Sequence, residues 1–461
     1  MSADASARTS MHSTRNAKHN PFATPALSAA PTQEKSDYSG YFPNVQTKAY
    51  VPRRRKFQSA RLKDGEYDEK PWLQGKDDPN FKRKRWERII FWIGIGVGIV
   101  AGGAVCALEY MSVSTGTFCP IWEDDFHSID NSAWSFEIQR GGFGTGAFDW
   151  TTDDPKNAYT DAEGLHIVPT LTTESTDITP EQLYDGYTLN LTTAKTCTST
   201  DYTMCSIYSN KTTGDIINPV RSARMTTKGK KSIQYGKVEV VAKMPKGDWL
   251  WPAIWMMPED DIYGPWPQSG EIDIAESRGN SPLNYTDGRN SIISAMHWGP
   301  STSTDAFWRT SGKHNLRRAD YSQAFHTYGL EWTPDYLFMY IDNQLLQTFY
   351  IKFATGANTM WNRGKFGEYI ANQSALFDPW SQTGQRNTPF DQKFYLILNV
   401  AVGGTNGFFK DGVGNKPWGD GSLTAPKSFW DAKQLWLPSW GEGDERGMTV
   451  KSVKMSTHGA C

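Results

Sequence analysis

The stretch Glu271-Ile272-Asp273-Ile274-Ala275-Glu276 decides how the rest of the chain reads. Three carboxylates fall within six residues, separated by apolar ones. Successive side chains of a β-strand point to opposite faces, so Glu271 and Asp273 share a face and strict alternation sends Glu276 to the other. A β-bulge sets two residues of one strand against one of its neighbour, and a bulge here would return Glu276 to the face of Glu271. Three acids crowded on one face repel, and folding gains nothing from them. Catalysis does: a retaining glycosidase requires two carboxyl groups roughly 5–5.5 Å apart, one as nucleophile and one as acid/base. The competing reading is a solvated acidic strand edge, since short acidic patterns recur by accident.

The neighbourhood favours the catalytic reading. Upstream run Tyr235-Gly236-Lys237-Val238-Glu239-Val240-Val241-Ala242-Lys243-Met244-Pro245 and Gly247-Asp248-Trp249-Leu250-Trp251-Pro252-Ala253-Ile254-Trp255-Met256-Met257-Pro258. Gly264-Pro265-Trp266-Pro267-Gln268-Ser269-Gly270 leads into the acids, and Ser277-Arg278-Gly279 follows them. This resembles the laminarinase-type branch of glycoside hydrolase family 16, in particular its β-1,3-glucan-binding and β-1,3-glucanase members. The resemblance runs from about Phe118 to the end, with 235–280 as its specific core. It implies an all-β, two-sheet antiparallel jelly-roll sandwich (concanavalin A-like) with a sugar cleft across the concave sheet. It makes Glu271 the nucleophile and Glu276 the acid/base, with Asp273 between them tuning their protonation. Some recognition proteins of this branch lack the glutamates; all three acids are present here.

Composition sets outer limits. The formal charge of −2 gives no hint of nucleic acid as a partner. The 19 tryptophans exceed what a core of this size needs, so some are expected on a binding surface, stacked on apolar sugar faces. Abundant Gly and Pro fit an all-β fold with many turns.

Residues 1–88 read as a disordered basic tail, rich in Ser, Ala, Thr and Pro at its start and without apolar periodicity. Arg53-Arg54-Arg55-Lys56 is either a sorting or lipid-headgroup contact or a solvated run. Lys82-Arg83-Lys84-Arg85 directly precedes Ile89–Leu108, which carries no charge. About 20 such residues span a bilayer as one helix. The expected transmembrane segment, 89–110, starts too late for a cleaved signal peptide. Basic residues stay cytosolic, so the reading is a signal anchor of type II topology in the secretory pathway or at the cell surface. Gly94, Gly98 and Gly102 share a helix face, which permits close packing; homodimerisation through that face and ordinary bilayer packing are both open.

Two features bear on this topology. The Asn-X-Ser/Thr acceptors Asn190, Asn210, Asn284 and Asn372 all lie beyond the anchor, as lumenal glycosylation requires. Beyond Cys106, four cysteines remain outside the anchor, an even number suited to two disulfides in an oxidising compartment. Three connectivities exist. The favoured one pairs Cys197 with Cys205, closing a short loop, and Cys119 with Cys461, tying the ends of the domain together.

The folded domain is expected over 117–461. Tyr159–Pro169 reads as a strand pair, and the Thr-, Ser- and Asp-rich 170–213 as a surface excursion. Val238, Val240, Ala242 and Met244 alternate with polar neighbours, as in a half-buried strand. Trp249, Trp251 and Trp255 share a face if extended, although Pro252 argues against a regular ladder. From the resemblance, Trp251 and Trp255 are expected to contact sugar, Trp266 to cap the cleft, and His297, in Ser294-Ala295-Met296-His297-Trp298-Gly299, to approach the acid/base pair and help hold its proton geometry. Asn399 interrupts the apolar run 394–404 and needs a buried partner, either backbone or a sugar hydroxyl. No His/Cys/Asp spacing suits zinc, so no catalytic metal or cofactor is expected; the resemblance brings only a structural calcium on the outer side of the sandwich. The expected function is that of a membrane-anchored retaining β-glucan hydrolase or transglycosylase acting on cell-wall or extracellular glucan. A non-catalytic glucan-binding protein is the main alternative, and a purely structural adhesion sandwich a third.

Overall fold

The computed structural model describes residues 79–112, 116–353, 359–368, 370–371 and 374–461. The expected tail and Asn372 thus lie wholly or largely outside the described residues. A single helix spans Pro79–Ser112, longer at both ends than the apolar segment alone. Its window Lys82–Leu108, with mean hydropathy 2.3 and none of it buried, is long and apolar enough to cross a membrane by length and composition. The basic run belongs to the helix because Lys and Arg are good helix formers.

The remainder is built from two large antiparallel sheets. The first runs, edge to edge, Gln347–Lys352, Tyr336–Ile341, His326–Trp332, Gly236–Lys243, Met448–His458, Gly164–Ile167 and Ala158–Asp161, with Phe118–Asp124 also paired to Met448–His458. The second runs Ser311–Asn315, Ser291–His297, Glu271–Glu276, Leu250–Pro258, Phe394–Val402, Arg224–Thr226 and Ser135–Phe136, with Ser232–Ile233 also paired to Phe394–Val402. Hairpin-connected runs, such as the four strands from Ser311–Asn315 to Leu250–Pro258, are joined in each sheet to strands from distant parts of the chain, such as Phe394–Val402 and Met448–His458, the Greek-key character of a jelly roll. The core lies between the sheets. Val238, Val240, Leu330, Met339 and Val453 come from the first sheet, and Ile254, Met256, Ile272, Ile292 and Leu398 from the second. All are fully buried, and the alternation seen at Val238–Met244 is the burial pattern of its strand.

Three local expectations change. Leu250–Pro258 is a regular nine-residue strand despite Pro252. The Pro252 carbonyl accepts from Ser277 N at 3.2 Å, on the side where the acidic strand has just ended, so the absent N–H removes no ladder bond. Trp249 leaves the face of Trp251: its φ is +69°, and its ring packs edge-on against Phe409 and Trp418 inside the core. The segment 170–213 is also no mere surface excursion. Leu171, Ile178, Leu183, Leu189 and Leu191 are buried, and Thr170–Leu171 pairs with Val220–Ser222 in a small third sheet. Its apolar residues are too sparse to show a period.

Both disulfides join the favoured partners, Cys119–Cys461 and Cys197–Cys205, and Cys106 is free. The acceptor Asn284 is exposed, whereas Asn190 and Asn210 are half-buried.

Candidate active site

The acidic strand carries its irregularity at the expected place. Asp273 lies opposite Trp255 on one side and Ala295 on the other. Ala275 and Glu276 then pair with Ile254 and Ala253, which leaves Ile274 as the extra residue. On the other side Ile274 and Ala275 together face Ser294, whose hydroxyl donates to Ile274 O at 2.7 Å. The bulge spends Ile274 and Ala275 on the core, where both are buried, and returns Glu276 to the face of Glu271 and Asp273.

Each acid has its own neighbour. Trp266 Nε1 donates to Glu271 Oε2 at 2.5 Å. Trp251 Nε1 donates to Glu276 Oε1 at 2.8 Å. His297 Nε2 stands 3.2 Å from Asp273 Oδ2, although no hydrogen bond reaches that buried oxygen among the described residues. The other ring nitrogen, His297 Nδ1, lies 2.5 Å from Asp305 Oδ2. The imidazole also stacks on Phe307, with centroids 4.9 Å apart, and Trp266 lies 5.8 Å away.

Burial and crowding set the protonation states. Burial, then the charges of Glu271 and Glu276, hold Asp273 well above the usual carboxylate range. Burial also raises Glu276; the Trp251 bond and the His297 charge pull the other way, and Glu271 pushes it up. For His297 burial opposes the charge, but Glu271, Asp273 and Asp305 outweigh it and hold the imidazolium well above its ordinary range. A carboxyl kept protonated beside another carboxylate on one strand face is equipment for general acid catalysis next to a nucleophile.

Residues 176–366 match the profile of Glycosyl hydrolases family 16. A β-1,3-glucan-binding protein of Penaeus monodon is 41% identical over 330 residues, covering 71% of this chain and 86% of that protein. The chain belongs to glycosyl hydrolase family 16. A glucan endo-1,3-β-glucosidase of Cryptopygus antarcticus is 38% identical over 194 residues, 41% of this chain and 59% of its own length. The laminarinase catalytic domain of Thermotoga maritima MSB8 is 23% identical over 74% of this chain and 99% of its own, with a TM-score of 0.44, a likeness of fold alone.

Within this family 16 domain the expected aromatic contacts divide. Trp266 is 37% exposed and sits beside Glu271, open to solvent. Trp251, expected to contact sugar, is instead 7% exposed and stacks flat on Phe408 at 3.9 Å. Its N–H is spent on Glu276, so it positions a carboxyl rather than offering a platform. Trp255 donates to Asn399 Oδ1 at 2.7 Å, and the Arg224 guanidinium lies 4.7 Å over its ring. One face of Trp255 is therefore covered. Asn399 finds its partner in that indole, neither in backbone nor in a free hydroxyl contact. His297 faces Asp273, the carboxylate between the two glutamates.

Sequence reading missed Phe408, Asp305 and Arg224. Phe408 lies far from the acids in sequence, and only the adjacent aromatic pair Phe408-Phe409 marked it. Asp305 sits in a loop without periodicity. Arg224 is clamped between Trp255 and Phe143, with Nε on Glu137 Oε2 at 2.5 Å; the Gly-rich run around Phe143 was the available signal.

Among the described residues, two groups bring potential metal-ligand atoms within 4.8 Å of one another: Glu271, Asp273 and His297, and Asp161, His166 and Asp444. Calcium takes six to eight oxygen ligands. Each group offers an imidazole in place of one, so neither fits the structural calcium of the resemblance. A cavity of about 970 Å³, lined by Trp150, Tyr187, Asn190 and Arg221 among others, includes none of the acids.

Proposed function

We propose that this chain is a membrane-anchored retaining β-glucanase or transglycosylase acting on β-1,3- or mixed β-1,3/1,4-glucan. The observation that carries the reading is the bulge at Ile274-Ala275, which sets Glu276 beside Glu271 with Asp273 between them. Glu271 attacks the anomeric carbon, forming the glycosyl–enzyme ester, while protonated Glu276 donates to the departing glycosidic oxygen. Once Glu271 is esterified its charge is gone, and Glu276 loses the repulsion that kept its proton. It then serves as base for water, giving hydrolysis, or for an acceptor sugar, giving transfer. The Penaeus relative is named for binding, and the Cryptopygus relative for cleavage. The intact acidic trio, each member with a dedicated neighbour, supports cleavage: a lectin has no use for a buried protonated carboxyl. The helix Pro79–Ser112 would tether the domain outside the cytosol.

The test is Glu271→Gln in the full-length protein incubated with laminarin. Reducing ends or transfer products are expected to fall by at least roughly 10³-fold, with laminarin retardation in affinity electrophoresis retained. Wild-type protein that binds laminarin but releases and transfers nothing would instead establish the binding-protein reading.

A further inference from the structure

His297 is placed between two carboxylates from different elements. Asp273 comes from the acidic strand; Asp305 comes from the loop that follows the strand of His297 itself. Asp305 is nearly buried, its side chain 10% exposed. It divides its oxygens: Oδ1 accepts from the backbone of Trp298 and of Phe307, both at 3.2 Å, and Oδ2 meets His297 Nδ1 at 2.5 Å. The two backbone bonds fix the carboxylate, so the carboxylate fixes the ring. An ionised carboxylate only accepts, which makes Nδ1 the protonated nitrogen. Nε2 is thereby left to Asp273 Oδ2, 3.2 Å away and otherwise without a hydrogen-bond partner.

We propose that Asp305 is a positioning residue: by fixing the ring and the Nδ1 proton of His297 it governs the proton between Nε2 and Asp273, and through it the charge felt by Glu271 and Glu276. Asp305 touches no reacting atom. The charged groups that act most on His297 are acidic: Glu271 and Asp273 from the acidic strand, with Glu276 also interacting with it, and Asp305 from the loop. Phe307 and Trp266 contribute uncharged ring contacts. The catalytic consequence rests on the proposed glycosidase reading; the proton state of His297 does not, and the experiment separates the two.

Asp305→Asn is the informative substitution. Its Oδ1 keeps the two backbone bonds that hold the loop, while Nδ2 takes the place of Oδ2 and can only donate. Nδ1 must then accept, and the neutral ring carries its proton on Nε2. The full-length chain, solubilised in detergent and labelled with ¹⁵N at its eight histidines, is titrated by NMR, with His297→Gln identifying the resonance. Wild-type His297 is expected to stay doubly protonated at pH 7.5. In Asp305→Asn it is expected to titrate lower than in the wild type, with one raising carboxylate removed, and to show the Nε2–H tautomer when neutral. A neutral wild-type ring at pH 7.5, or unchanged titration in the variant, overturns the proposal. Failure of the variant to fold leaves the wild-type measurement decisive. On laminarin, kcat/KM of Asp305→Asn is expected to fall more than tenfold above the pH at which its His297 titrates by NMR, with KM little changed, and to show a new inflection at that pH. The same substitution in a His297→Gln background is expected to change nothing further. An added loss there would mean that Asp305 acts through its loop. Absence of any wild-type turnover removes the glycosidase reading while the NMR result still stands.

Discussion

The indole of Trp251 serves Glu276 rather than a ligand: its N–H reaches Oε1 at 2.8 Å while its ring lies against Phe408. Hydrogen bonding to the charged form of a carboxyl favours that form, so this bond works against the burial that raises Glu276. Trp251→Phe keeps the stack and deletes the donor. Glu276 is then expected to hold its proton to higher pH, moving the alkaline limb of the kcat/KM profile upward. Deacylation, which needs the ionised form, should slow by roughly 10- to 150-fold, on the scale of one lost hydrogen bond to a charged group. A limb that stays in place would show that the bond does not tune the acid.

Asp149 offers a stability test away from the acidic trio. It is buried, accepts from Val402 N at 2.8 Å, and burial pushes its carboxyl up to about 7. The folded value lies above the unfolded one of about 3.9, so between these limits the native state binds more protons and stability falls as pH rises. The cost is fully present above about pH 7. Asp149→Asn removes the ionisation and keeps an acceptor for Val402. It is expected to match wild type near pH 4, and to exceed it by roughly 1–3 kcal/mol at pH 8 in denaturant melts. Equal pH dependence of the two proteins would refute this.

The two disulfides close loops of very different size, with sequence separations of 342 and 8. Constraint of the unfolded chain grows with loop length. Replacing Cys119 and Cys461 by Ser should cost about 3–5 kcal/mol, and replacing Cys197 and Cys205 about 1–3 kcal/mol, read as a larger fall in Tm for the first pair. The reverse order would place the main effect in native-state packing.

The helix makes a separable prediction. Full-length protein expressed in cells should resist alkaline carbonate extraction from membranes, since roughly 20 apolar residues anchor a chain stably. Attachment of the domain to a membrane without the apolar window Lys82–Leu108, or carbonate release of the full chain, would argue against the anchor.

What could be read from the sequence, and what could not, follows from the range of the forces involved. The bulge was legible because three acids in six residues cannot obey a period of two without it. The helix and both cysteine pairings were legible because length, charge placement and parity are counted along the chain. The part played by Trp251 was not. An indole on a strand face is a platform if its ring is bare and a support if another ring covers it, and Phe408 arrives from a distant loop. The partners of the His297 ring were not legible for a related reason: register places the residue directly opposite Glu271, but its Nδ1 meets Asp305, from a loop that leaves no pattern. The buried leucines of 170–213 went unseen among threonines because they meet the core one at a time.

On the proposed reading, in which the domain is tethered at its beginning and grips a polymer, the bond between Cys119 and Cys461 has a mechanical meaning. Tension entering at Phe118 reaches Phe118–Asp124, which is zipped to Met448–His458. Without a covalent clasp, strain applied at one end could peel these strands apart one hydrogen bond at a time. With Cys119 locked to the last residue, the pull is shared by both strands and borne in shear, so a glucan could be tugged hard without the sandwich unravelling from its seam.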